Sequence, residues 1–321
     1  MYPPMAPLGL HLQDRRPTVL FPILVEDATE DQVRERTLLY ASAMLGAAVL
    51  TSVSGFSAPR RPWTLAAAAA LLALSAPPTG AVAQRRFGSE PGREPDTANI
   101  QYDGRFTFAR LKYVTGPGGW YYRGLPAWAH GYSEAERNLM NIVNELSVLG
   151  PHITESNVLA LDDPALCRYP IVYMTEAGYW TMTDQEAAGF RAYLLKGGFA
   201  IFDDFRGDFR GGGGWDTFET NMRRVLPTAR FVDLEPTHPI FHAFFEINSF
   251  DIIPQYYDRG QPIFRGLFED NDPSKRLLAM VNFNTDVSNF WEFSATGLKP
   301  IDESNQAYKL GVNYIMYGLT H

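Results

Sequence analysis

Lys196-Gly197-Gly198-Phe199-Ala200-Ile201-Phe202-Asp203-Asp204-Phe205 admits few readings. Paired glycines close a helix, a short apolar run makes a buried strand, and two carboxylates arrive at that strand's C-terminal end. In open α/β sheets ligands bind beyond the C-terminal ends of the strands. Asp203 and Asp204 therefore mark the expected functional edge.

With 321 residues, 45% apolar and 13% aromatic, the chain has ample material for a packed core, which excludes disorder throughout. Its net charge is -8. Residues 1–83 balance six Lys/Arg (Arg15, Arg16, Arg34, Arg36, Arg60, Arg61) against six Asp/Glu (Asp14, Glu26, Asp27, Glu30, Asp31, Glu35), so the whole acidic excess falls on residues 84–321. Such a surface offers no footprint for nucleic acid or anionic lipid. Cys167 is the only cysteine, which excludes an intrachain disulfide and a thiolate metal cluster.

Residues 1–58 are punctuated by Pro3, Pro4, Pro7, Pro17 and Pro22, show no clear period and include an apolar run at Leu38–Val53; they read as a non-globular leader. Within residues 59–83, Arg60-Arg61-Pro62-Trp63-Thr64 precedes the Ala/Leu run Leu65–Leu74, and the segment closes on Ala81-Val82-Ala83. A basic start, a short apolar centre and a small-x-small end form the pattern of a secretory signal peptide, with cleavage expected before Gln84. The apolar centre falls short of the ~20 residues that a bilayer span needs. Because the pattern starts only at Arg60, Met44 is a candidate initiator; alternatively Leu38–Val53 is a first membrane segment and the two apolar segments anchor the protein. The expected location is periplasmic or extracellular, free or membrane-anchored.

Residues 84–100 read as a polar linker, and the folded domain is expected over 101–321. Phe106–Tyr113 alternates as a strand, followed by the loop Gly116-Pro117-Gly118-Gly119-Trp120-Tyr121-Tyr122. Ser133 with Glu136 predicts a capping box opening a helix that ends near Gly150, and Thr183 with Glu186 predicts a second box on the helix closing at Gly197. Val158–Leu161, Ile171–Thr175, Phe199–Phe202, Arg230–Leu234, Gln261–Phe268 and Leu277–Phe283 read as strands, Asp216–Leu226 and Asp302–Leu319 as helices. Strands alternating with capped helices predict a doubly wound, mainly parallel α/β sheet.

Phe106–Tyr113, the Gly197–Asp204 turn and strand, His238-Pro239-Ile240-Phe241-His242, Asn282-Phe283-Asn284-Thr285-Asp286 with Trp291-Glu292, and Leu310–Tyr317 come in an order that resembles the bacterial family called domain of unknown function 4159, over residues 101–321. The resemblance implies a flavodoxin-like fold similar to class I glutamine amidotransferases and ThuA-like proteins, in an exported or membrane-attached setting. Amidotransferases need a cysteine on a strand-to-helix elbow. After Ile171–Thr175 this chain has Glu176-Ala177-Gly178-Tyr179, and Cys167 precedes that strand, so glutaminase chemistry is not expected.

The catalytic candidates are Asp203, Asp204, Glu176 and His238. The acids suit a hard metal, acid–base work or sugar hydroxyls; alternatively one caps a loop and the other pairs with Arg206 or Arg210. Glu176 joins them if its strand neighbours theirs. His238 and His242 stand four apart, as zinc ligands often do, but Pro239 suits a helix N1 position and makes His238 a cap. Ligand-binding candidates are Trp120, Tyr121, Asp286, Glu292 and Trp291, whose carboxylates and rings suit carbohydrate and equally suit a hydrogen-bonded loop or a covered sheet edge. No phosphate loop, GxGxxG run or complete metal motif occurs, so neither a metal nor a nucleotide or other cofactor is expected. The expected function is a non-catalytic ligand-binding or envelope-assembly module with carbohydrate or envelope-protein partners; the alternative is a hydrolase or isomerase acting on a carbohydrate-like substrate. For the leader, mass spectrometry of the exported protein should find an N-terminus at Gln84, whereas a mature chain retaining Leu65–Leu74 would select the anchored form.

Overall fold

The computed structural model describes residues 94–120, 124–205, 214–251 and 261–321, all within the compact unit Arg85–His321. The leader, the signal pattern, Tyr121, Tyr122, Arg206 and Arg210 lie outside the described residues. Among the described residues no helix is long and apolar enough to cross a membrane.

Nine strands are described: β1 Phe108–Lys112, β2 Val114–Thr115, β3 Ser156–Ala160, β4 Ile171–Thr175, β5 Trp180–Thr181, β6 Phe199–Phe205, β7 Phe231–Asp233, β8 Ile263–Phe268 and β9 Leu277–Phe283. The main sheet runs β3-β1-β4-β6-β9-β8-β7, and β2 and β5 form a separate antiparallel pair. β3, β1, β4, β6 and β9 are parallel. β8 and β7 run antiparallel at one side, which makes the sheet mainly rather than wholly parallel.

Among the described residues five α-helices flank it: α1 Glu134–Leu146, α2 Asp184–Leu195, α3 Trp215–Val225, α4 Val287–Glu292 and α5 Ile301–Thr320. Side-chain alternation along the buried strands divides the core in two. Val172, Met174, Ala200 and Phe202 pack with Phe190 and Tyr193 of α2 and Phe218 and Met222 of α3. Phe108, Tyr173 and Ile201 face the other way, toward Leu139 of α1, Trp291 of α4 and Ile315 of α5. Both faces of the central strands are covered, which is why they read as unbroken apolar runs.

α2 begins at the predicted box, with Thr183 and Glu186 bonded reciprocally. It ends where predicted: Gly197 takes φ +113, and a Cβ on Gly198 would fall 2.3 Å from the Tyr193 ring. The box at Ser133 does not form, since Ser133 makes no side-chain cap bond. Glu136 faces the sheet instead, and its Oε1 accepts from Arg110 Nε of β1 at 2.6 Å; a charge-assisted bond outweighs a neutral cap. α1 also stops at Leu146 rather than near Gly150.

Arg110 is fully buried. Its Nη1 donates to the carbonyls of Trp128 at 3.0 Å and His130 at 2.9 Å, and its guanidinium lies over the Tyr173 ring at 5.2 Å. The Arg110–Glu136 pair thus pins both α1 and the Trp128–His130 segment to β1. At the β3 edge, Val158 exchanges two hydrogen bonds with the Asn99 side chain, and Asn157 exchanges two with the Ile100 backbone.

Two measurements test this packing. Arg110→Met leaves Glu136 buried and unpaired and should cost about 3–5 kcal/mol in urea unfolding, while Arg110→Met/Glu136→Leu should recover more than half of it. Burial, with the His321 charge adding to it, holds the His238 imidazole below its ordinary pKa. The unfolded chain therefore takes up a proton that the folded chain refuses, and stability present above the unfolded pKa is lost as pH falls through it. Thermal melts from about pH 7.5 to about pH 5.5 should show a smaller loss for His238→Asn, which retains a cap acceptor.

Candidate functional site

β6 extends beyond its predicted end, so that Asp203 and Asp204 lie within the strand. Consecutive strand residues ordinarily point to opposite faces. Here the register shifts between Phe202 and Phe205, and Asp204 takes φ 61, a distortion that re-aims a side chain. Both carboxylates consequently serve one end of the sheet, with different partners.

Asp203 is fully buried. It accepts from Tyr173 Oη at 2.8 Å, Asn282 Nδ2 at 3.0 Å, Val287 N at 3.2 Å and Ser288 N at 2.9 Å. Asn282 Oδ1 in turn accepts from Tyr314 Oη at 2.8 Å. Asp286 caps α4 through Asn289 N and also accepts from Ser288 Oγ, both at 2.9 Å. Burial raises the pKa of Asp203, and the Asp286 charge raises it further; burial and then the Asp204 charge do the same for Asp286. Both carboxyl groups are thereby pushed above the ordinary carboxylate range.

Asp204 turns to the loop between β2 and α1, where its Oδ2 lies 2.7 Å from His130 Nδ1. Glu176 Oε1 is 3.5 Å from the same nitrogen. Burial alone would lower the His130 pKa, but the bonds to Asp204 and Glu176 overcome that and raise it to about 12. His130 is therefore an imidazolium at neutral pH, with 23% of its side chain exposed.

Glu176 follows β4 in left-handed backbone, φ 51 and ψ 36, a conformation costing a non-glycine residue about 1–2 kcal/mol. Its N–H donates to the Asp203 carbonyl at 3.1 Å, and its own carbonyl accepts from Tyr113 Oη at 2.7 Å and from Tyr179 N at 3.0 Å. Those three bonds hold the elbow. Glu292 lies beside the same loop, its Oε2 3.4 Å from where a Cβ on Gly131 would stand; burial raises its pKa, against the charges of His130 and Arg110. The Thr175 hydroxyl is buried with no hydrogen-bond partner, an arrangement costing about 1–3 kcal/mol.

The structure thus brings together five of the singled-out acids, Glu176, Asp203, Asp204, Asp286 and Glu292, at the C-terminal ends of β4, β6 and β9. His238 is not among them. Its Nδ1 accepts from Ile240 N at 3.3 Å as the cap of a short 3-10 turn, Pro239–Phe241. Its ring packs on Phe268 and Tyr317, and Phe268 pairs with Leu277 at the start of β9, the opposite end of the parallel strands. His242 bonds Glu246 and the Pro236 carbonyl, so the two histidines face no shared ligand position.

Trp291 is buried, with its indole N–H on the Ala307 carbonyl at 2.9 Å; it is a wall of the core rather than a stacking platform. Trp120 bridges to Pro126 in the half-buried loop before His130. Cys167 is exposed in the turn before β4, at the far end of that strand from the elbow. His130 is the residue that sequence reasoning passed over. Its signal was position: it stands in the connection between β2 and α1, at the edge where ligands are expected.

A nitrogen of His130 and one carboxylate oxygen each from Glu176 and Asp204 lie within 4.8 Å of one another. Chemically the edge offers a positive charge on His130, an elbow carboxylate with 11% exposure and a pair of buried acids of raised pKa behind them. Such concentration of perturbed groups is typical of reactive sites.

No curated protein matches this chain. Residues 107–319 match the model of a family described as a domain of unknown function, DUF4159, and with most of the chain inside that match the protein belongs to the DUF4159 family.

Proposed function

We propose that the chain is a hydrolase or isomerase that handles a hydroxyl-rich, carbohydrate-like substrate at the strand-end edge, with Glu176 as general base and His130 as the positive charge facing a developing oxyanion. The observation that carries this reading is the elbow. Glu176 is held in left-handed backbone directly after β4, 3.5 Å from an imidazole fixed by Asp204. Strained backbone at a strand end is where nucleophiles and bases are presented.

The fold supports the reading. In chain order the five parallel strands are arranged 2-1-3-4-5, the order of flavodoxin-like folds, which place ligands where the strand order reverses. That favours likeness to class I amidotransferase and ThuA-like domains. In such a likeness Glu176 takes the elbow position of the thiol, so the chemistry is activation of water or a hydroxyl rather than thiolate attack.

The second reading is a non-catalytic module that holds carbohydrate or an envelope protein. It is favoured by Asp203 and Asp286, whose oxygens are committed to the backbone of α4. In both readings the signal-like leader supports work outside the cytoplasm, in the periplasm or beyond the cell, free or anchored.

Turnover of a panel of chromogenic glycosides and reducing disaccharides separates the two. Glu176→Gln should lower the rate on the responsive substrate by at least about 100-fold, with the melting temperature unchanged. An equal rate in wild type and variant would sink the enzyme reading. No turnover, with retention on an immobilised oligosaccharide, selects the binding module.

A further inference from the structure

We propose that His130, Glu176 and Asp204 form a site for one first-row divalent cation, Mn2+ or Zn2+. This rests on the reading of the strand-end edge as the functional site and names what completes it. The three side chains come from three separate segments, the loop between β2 and α1, the elbow after β4 and the end of β6. Each presents one donor atom, and all three atoms lie within 4.8 Å of one another, a spacing suited to donors about 2.0–2.2 Å from a shared ion. One imidazole nitrogen with two carboxylate oxygens favours Mn2+ or Zn2+ over Mg2+ or Ca2+, which prefer oxygen alone.

Clustered acids do not by themselves make a cation site, and a second feature points to a ligand here. Thr175 is fully buried and its hydroxyl has no hydrogen-bond partner. Tyr173, two residues earlier and so on the same face of β4, reaches Asp203, and Thr175 is itself the register partner of Asp203. Strand alternation therefore puts the orphan hydroxyl on the face of β4 that Asp203 occupies, in the residue before Glu176 and across the strand pair from the residue before Asp204. It is placed for a water or substrate oxygen carried by the ion. Glu292 Oε2 is also buried without a bond, on the His130 side through Gly131.

Cation entry replaces the proton that His130 shares with Asp204; that proton leaves to solvent, and the imidazole nitrogen ligates as the neutral base. In the loaded form Glu176 would be a ligand, and the ion would supply a bound hydroxide as nucleophile, the proton of its water leaving to solvent, in place of a water activated by Glu176. Asp203 and Asp286 stay behind the ligands, fixing β6 and α4.

The test uses the full chain, stripped with EDTA and titrated with MnCl2 or ZnCl2. Equilibrium dialysis should find one ion per chain, and pulsed electron paramagnetic resonance of the Mn2+ form should show coupling to an imidazole nitrogen. His130→Gln should abolish that coupling, and Glu176→Gln and Asp204→Asn should each weaken binding by at least about tenfold. No ion uptake by the wild type, no nitrogen coupling, or uptake indifferent to all three substitutions would overturn the site; the wild-type spectrum decides even where a variant fails to fold. Turnover of the glycoside panel that survives EDTA overturns the cation and leaves the enzyme reading standing. Mn2+ uptake with nitrogen coupling but no turnover supports the cation and removes the enzyme.

Discussion

A carboxylate without solvent exposure persists in a protein interior only when donors replace the water it has lost. Asp203 has four, and they come from β4, β9 and two consecutive amides at the start of α4. Asn282 extends the set to α5 through Tyr314. One buried acid therefore fixes the distances among three strands and two helices at the end of the sheet where the reactive groups stand. Replacing it with an apolar residue would leave two backbone N–H groups, an amide and a phenol without an acceptor, a larger loss than that of any exposed ion pair.

Against this fixed frame, the neighbouring Asp204 serves a different partner. The two residues share a side-chain chemistry and differ in backbone: the register shift and positive φ turn Asp204 toward His130. A second anchor meets it from the other side, since Arg110 holds the His130 carbonyl while its guanidinium is neutralised by Glu136. Imidazole and carboxylate are thus each positioned by a buried charge of their own, and their contact follows from two independent supports. Preorganisation of that kind distinguishes a built site from a chance meeting of surface charges.

Much of this was legible beforehand. Ile171–Thr175 and Leu277–Phe283 were readable to the residue, because both-face burial leaves an uninterrupted apolar run. The meeting of Glu176 with Asp203 and Asp204 followed from the strand-end rule. His130 was not legible, since its approach to Asp204 spans 74 positions and leaves no local spacing to detect. At His238 the local motif did mark the cap ahead of Pro239, but such a motif says nothing about which end of the sheet its loop occupies. At Ser133 and Glu136 a sound local pattern lost to a long-range charge, because Arg110, on the same face of its strand as Phe108, is buried and needs a counter-ion.

The side chains of Asn99 and Asn157 have a bearing on how copies of this protein behave together. An outer strand of a sheet is a template on which another polypeptide can add itself, and growth by such addition ends in aggregates. At Val158 both the N–H and the C=O are already taken by the Asn99 amide, at 2.8 and 2.9 Å, while Asn157 grips the Ile100 backbone in return. The chain approaching its own first strand thereby acts as a stopper on the β3 margin, and a protein trimmed past Ile100 would present that margin open to its neighbours.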